Sequence, residues 1–142
     1  MNDEIIKILI NLAKKAEKKN EIPVGCIIRY RGTIISKAYN RKENNNDVLG
    51  HAEIIAIKKA AKKLNSWKLD ECEMYVTLKP CSMCNEIIKQ SRIKKVYYLT
   101  DRLDFKKEYN KTEFIKLDDN EEYIKILSKF FENMRKKWEN ML

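Results

Sequence analysis

From residue 3 to 19 the apolar residues Ile5, Ile6, Leu9, Leu12, Ala13 and Ala16 recur three and four apart, with Lys and Glu between them. That is the spacing of an amphipathic helix. The period then changes. IPVGCIIRY (22–30) and TIISKAY (33–39) are β-branched runs on either side of Arg31-Gly32, and they predict two strands joined by a tight turn. Asn40 to Gly50 is polar and reads as a loop. Helical spacing returns from His51 to about Leu64, with Ile54, Ile57, Ala61 and Leu64 on one stripe. EMYVTL (73–78) predicts a third strand that Pro80 ends, Cys81 to about Gln90 a third helix, and KKVYYLT (94–100) a fourth strand. After a charged loop at 101–113, FIKL (114–117) predicts a short fifth strand and 120–139 a long terminal helix.

A helix, two strands, then helices and strands in alternation imply a layered α/β domain that opens with a hairpin. With 142 residues and no repeat or linker, the chain is expected to form a single domain over 1–142. No apolar run reaches the roughly 18 residues that a membrane span needs. The N-terminal MNDEIIKILINLAKKAEKK has acids at its front and charges throughout, unlike a secretory signal, so the expected location is cytoplasmic. A net charge of +9 favours polyanionic partners such as RNA, although scattered Lys also simply solvates a surface.

Four cysteines change the picture. In a reducing compartment, Cys81 and Cys84 in KPCSMC form a C-x-x-C pair suited to metal or redox chemistry. A helix start lowers thiol pKa values and so favours thiolates. Cys26 sits in an apolar run and Cys72 in a polar stretch without a partner pattern. The chain's one histidine, His51, also stands at a helix start, with Glu53 close by in GHAEIIA. Mid-helix, those two would face about 200° apart; at the mouth of a helix, first-turn side chains can converge. One His and two Cys make three ligands, which leaves the fourth tetrahedral position of a zinc open, as catalytic sites require. Glu53 is then placed to serve as a base beside such a metal.

H-A-E followed by P-C-x-x-C resembles the signature of the zinc-dependent deaminases. Within them EIPVG, YNR, GHAEIIAI, MYVTLKPCSMC, SRIKKV and LSKFFENMRKK together resemble the bacterial-type tRNA-specific adenosine deaminases, in the same order along almost the whole chain. The resemblance implies a three-layer cytidine-deaminase-like fold, with a five-stranded mixed sheet sandwiched by helices, assembled as a homodimer. It implies one Zn²⁺ per chain on His51, Cys81 and Cys84, with Glu53 as the catalytic proton shuttle. Asn40, Ile22, Pro23 and Ala52 match positions that contact the nucleotide, Ala52 through its backbone N–H. The implied reaction is deamination of adenosine to inosine at the wobble position of a tRNA anticodon by a zinc-bound hydroxide. The same site chemistry also serves free cytosine- or guanine-type compounds, which is the alternative reading.

Near the C-terminus, Phe130 and Phe131 are adjacent, so one is expected on the core and Phe131 nearer an RNA edge. Arg135, Lys136 and Lys137 follow within reach of a phosphate backbone. Three features depart from the family pattern: Lys79 stands where an acid usually precedes Pro-Cys, Asn85-Glu86-Ile87 replaces small residues, and DRLDFKKEYNK lacks the usual glycines.

Overall fold

The computed structural model describes residues 3–101, Lys116 and 120–141, in two compact units, Met1–Asp104 and Phe105–Leu142. In the first unit, α1 (Asp3–Lys18) buries Ile5, Leu9, Leu12 and Ala16 and carries acids in its first turn and lysines in its last. Both charge placements suit the helix dipole. The strands are β1 (Gly25–Tyr30), β2 (Thr33–Tyr39), β3 (Cys72–Leu78) and β4 (Lys95–Thr100), and the intervening helices are α2 (Ala52–Leu64) and α3 (Ser82–Gln90). Arg31 and Gly32 both have positive φ, at 48° and 82°. That backbone matches the right-handed twist of a two-residue hairpin, and glycine adopts it without strain.

The sheet order is β2-β1-β3-β4. β1 is antiparallel to both β2 and β3, while β3 and β4 are parallel, so the sheet is mixed. Two strands that each oppose β1 run in the same direction as each other. The chain therefore leaves β2 and β3 at the same edge of the sheet. Among the described residues there are four strands, one fewer than the five expected; FIKL falls on 114–117, where only Lys116 is described, outside any strand.

Burial shows three layers. Leu9, Leu12 and Ile5 of α1 pack on Ile27 and Tyr75 at one face. On the other, Ala52, Ala56 and Ala60 of α2 and Ile88 of α3 meet Cys26, Ile28, Met74 and Val76. The stripe of α2 nearest the sheet is thus alanine at every fourth residue; of the expected stripe Ile54, Ile57, Ala61 and Leu64, Ile54 is buried and the other three lie at the partly buried flank. Small side chains let the helix backbone approach a sheet whose own residues already fill the layer.

Gly25 marks an equally close approach at the opposite face. A Cβ there would sit 2.6 Å from the Leu9 carbonyl oxygen and 2.7 Å from Leu12 Cβ. Gly25→Ala is expected to destabilise the protein by about 1–3 kcal/mol through overpacking. The urea midpoint measures it; an unchanged midpoint would mean that α1 shifts freely.

In the second unit, α4 (Glu121–Glu139) follows its N-cap Asn120, whose side chain accepts from the Tyr123 N–H at 2.9 Å. This satisfies one of the donors that a helix start leaves unpaired.

Candidate active site

Because β2 and β3 end at one edge, α2 and α3 begin beside each other, and each begins with a ligand-type residue. His51 is the N-cap of α2, with φ −80° and ψ 139°. It lies outside the helix proper, which removes the 200° conflict with Glu53 that a helical His51 would create. Cys81 is likewise the N-cap of α3, not its first helical residue, and its Sγ accepts from the Cys84 N–H at 3.5 Å.

The three side chains converge. His51 Nδ1 lies 3.8 Å from Cys81 Sγ and 3.4 Å from Cys84 Sγ, and the ligand atoms all fall within 4.8 Å of one another. Among the described residues, neither Cys26 nor Cys72 joins this group, so no fourth side chain closes it. One nitrogen and two sulfurs are the donor set of an open zinc site. The thiols titrate as a pair. Cys81 is pulled down to about 3, because the Cys84 thiol and then His51 hydrogen-bond to it. Cys84 is pushed far up, because its proton is held in the bond to Cys81 and because it is buried. The hydrogen bond to Cys81 raises His51, against the opposing effect of burial.

Glu53 stands in the first turn of α2 and is only 4% exposed. Burial raises its carboxyl above the ordinary range, outweighing its own backbone N–H and the charge of His51. A buried carboxyl whose pKa is raised, beside a metal-type donor set, suits proton transfer in both directions.

The loop before His51 is tightly built. Arg41 N–H donates to the Gly50 carbonyl at 2.8 Å, and Gly50 N–H to Asp47 at 2.8 Å. A Cβ on Gly50 would lie 2.6 Å from both Lys42 Cα and Lys42 N, so only glycine allows this closure. The buried Glu21 carboxylate accepts from the Glu43 and Asn44 N–H groups at 3.0 and 2.8 Å, tying the loop to the end of α1.

Asn40 Oδ1 accepts from the Ala52 N–H at 2.8 Å. An N–H donor requires oxygen opposite it, so the Asn40 amide presents its NH₂ elsewhere. This bond also consumes the Ala52 N–H, which is therefore not free to meet a purine as the sequence reading supposed. A small pocket of about 60 Å³ is lined by Ile22, Val24, Asn40, His51, Glu53, Leu78 and Lys79. Pro23 and Ala52 are absent from that lining. Pro23 sits at the centre of a three-residue turn closed by Val24 N–H to the Ile22 carbonyl at 2.8 Å, and it is exposed. Val24 and Leu78 were missed in the sequence, and Lys79 was noted there only as a departure beside Pro-Cys. Their proximity depends on β1 lying between β2 and β3, which no local pattern announces.

The residues expected at an RNA surface lie on α4. Phe130 and Phe131 meet edge to face with centroids 5.5 Å apart. Both line one apolar cleft with Met134, Arg135 and Trp138, and both are more than half exposed, so within this unit they are not split between a buried and an outer role. Lys136 pairs with Glu132 at 3.4 Å, and Lys137 is exposed.

The chain is similar to known proteins in sequence and in structure. The tRNA-specific adenosine deaminase of Bacillus subtilis is 35% identical over 95% of this chain and 92% of its own length. That of Aquifex aeolicus is 48% identical over 66% of the chain, which spans 62% of that relative. A structure from work on A-to-I editing by tRNA:A34 deaminases at the wobble position of transfer RNA superposes with a TM-score of 0.64 at 35% identity, over 66% of this chain and 72% of the other. Guanine deaminase from Bacillus subtilis superposes with a TM-score of 0.75 at 29% identity, over 99% and 95%. The cytidine and deoxycytidylate deaminase zinc-binding region matches residues 1–100, and this chain, with its His51, Cys81 and Cys84 cluster, belongs to that zinc-binding deaminase family.

Proposed function

We propose that this protein is a zinc-dependent hydrolase that converts adenosine to inosine at the wobble position of a tRNA anticodon. The observation that carries the reading is the buried Glu53 beside a His-Cys-Cys set with no fourth side-chain ligand among the described residues, at a pocket also lined by Asn40. Similarity along nearly the whole chain to a tRNA-specific adenosine deaminase selects the substrate. A net charge of +9 supports it.

His51, Cys81 and Cys84 would hold one Zn²⁺. When bound, the ion supplies Lewis acidity that lowers the pKa of a water molecule. Glu53 takes the water's proton as oxygen adds to C6 of the adenine, and returns protons to the ring and to the departing amino group. Ammonia leaves and inosine remains, so adenosine and water balance inosine and ammonia. The free Asn40 NH₂ donates to the nucleotide, and Ile22 and Val24 supply apolar wall. A wobble base already displaced from its neighbours costs little to extrude. Arg135, Lys136 and Lys137 would hold RNA phosphates, with Phe131 stacking beside them. The whole of 1–142 acts as one deaminase domain, in a cytoplasmic homodimer; the fifth strand of the family fold belongs with it.

Ammonia release and inosine content test the reading. An anticodon stem-loop with adenosine at the wobble position is compared with free adenosine, cytosine and guanine, with and without chelator. Inosine at that one position, lost on chelation, is the expected result. Turnover of free guanine with none of the stem-loop would move the protein to the small-molecule branch, where the guanine deaminase likeness points.

A further inference from the structure

Lys79 lines the pocket and Lys42 stands in the loop between its lining residues Asn40 and His51; neither pairs with a carboxylate among the described residues. Lys79 lines the pocket together with His51 and Glu53. Its backbone is fixed by an N–H bond to the Thr100 carbonyl at 2.9 Å, and its Nζ lies 5.9 Å from the centre of the Tyr98 ring. Lys42 is held against Gly50, the residue before His51, with its Cα 2.6 Å from where a Gly50 Cβ would fall. On the same unit, Arg31 meets Glu71 at 2.8 Å and Lys89 meets Glu86 at 3.5 Å. Among the described residues no carboxylate pairs with Lys42 or Lys79.

We infer that Lys42 and Lys79 are specificity-determining residues that grip the phosphates flanking the target nucleotide, so that the site selects a nucleotide embedded in a chain over a free base. This deepens the tRNA reading and rests on it. A neutral nucleobase gives an ammonium group nothing to neutralise. A nucleotide within a strand carries one phosphate on each side, and the two lysines stand on different segments, one in the loop that ends at His51 and one between β3 and Cys81. The mouth adds apolar surface: Ile22 in the pocket wall is 64% exposed. Apolar surface for a base and cations for its phosphates is the pairing that single-strand recognition uses.

The test uses the zinc-loaded protein and a wobble-adenosine stem-loop, either unmodified or with uncharged methylphosphonate linkages flanking that adenosine. Lys42→Ala and Lys79→Ala are each expected to raise KM on the unmodified RNA about tenfold, the worth of one charge-assisted bond. The rise in KM should exceed any fall in kcat. Each should also flatten the slope of log KM against log salt by about 0.7, the value for one lost single-strand phosphate contact. On the methylphosphonate RNA the double variant and the parent should converge, because the partner charge is already gone. Metal content, measured alongside, should stay at one zinc per chain and so separates this effect from damage to the ligands. If the parent deaminates the stem-loop but the variants keep its KM and its salt slope, the lysine assignment is overturned while the tRNA reading stands. A variant defect that persists undiminished on methylphosphonate RNA overturns it too. If the parent acts on free guanine and not on the stem-loop, the tRNA reading falls and takes this assignment with it.

Discussion

Glu53→Ala is expected to cost about 10²- to 10⁴-fold in kcat, while the fold and about one zinc per chain are retained. The separation follows from where the residues stand. His51, Cys81 and Cys84 supply the converging donor atoms, and Glu53 is not among them. Its carboxyl lies in the first turn of α2, where burial pushes its pKa up. That environment makes it a good proton carrier and a poor contributor to stability, since ionising a buried carboxyl works against folding. The variant should therefore melt no lower than the parent, and a modest rise fits the usual opposition between activity and stability at such sites. Glu53→Gln keeps the shape and a hydrogen-bonding end, yet cannot accept and return a proton, so it should be nearly as inactive. Metal analysis and single-turnover inosine formation on the same samples decide the matter. Loss of zinc in Glu53→Ala would make the carboxylate a ligand, and substantial activity in Glu53→Gln would assign the proton transfer to another group.

The legible and the hidden parts of this molecule divide by the range of the interactions that set them. Helical spacing in 3–19 and β-branched alternation in 33–39 are local, and they gave α1 and β2 nearly to the residue. The start of β1 shifted from Ile22 to Gly25, because Pro23 turns the chain before pairing begins. The donor types of the metal set were readable from His51, Cys81 and Cys84 alone. Their convergence was not. It depends on β1 being inserted between β2 and β3, a long-range pairing that brings two helix starts to one edge. Conformation mattered as well. Both His51 and Cys81 are extended N-caps, one residue outside the helices that the spacing started at them, and that conformation is what lets their side chains converge at the helix mouths. The Ala52 N–H shows the limit of motif matching, since its tie to Asn40 is visible only when both are placed in space.

Cys84→Ser is expected to abolish zinc retention and to lower the melting temperature by as much as chelation lowers that of the parent. Cys84 is fully buried at the heart of the set, 3.4 Å from His51 Nδ1, and a serine hydroxyl does not replace a thiolate toward zinc. Binding to the folded state alone stabilises by about 4 kcal/mol when free zinc exceeds its Kd a thousandfold. For a chain of this size that is roughly 10 °C in Tm. The metal draws together the starts of α2 and α3, which hydrogen bonds between the two N-caps alone hold loosely, so the loss should appear first as faster hydrogen exchange in those two first turns. Acid should act in the same direction. Zinc competes with a proton for Cys84, whose pKa is raised, so retention weakens as pH falls and more thiol is protonated. Cys72→Ser is the control, because Cys72 is buried outside the donor set and its loss should leave zinc in place. The decisive comparison is Tm with and without chelator for all three proteins. A chelator-sensitive Cys84→Ser would show that zinc is held without that thiolate, and the three-ligand site would have to be redrawn.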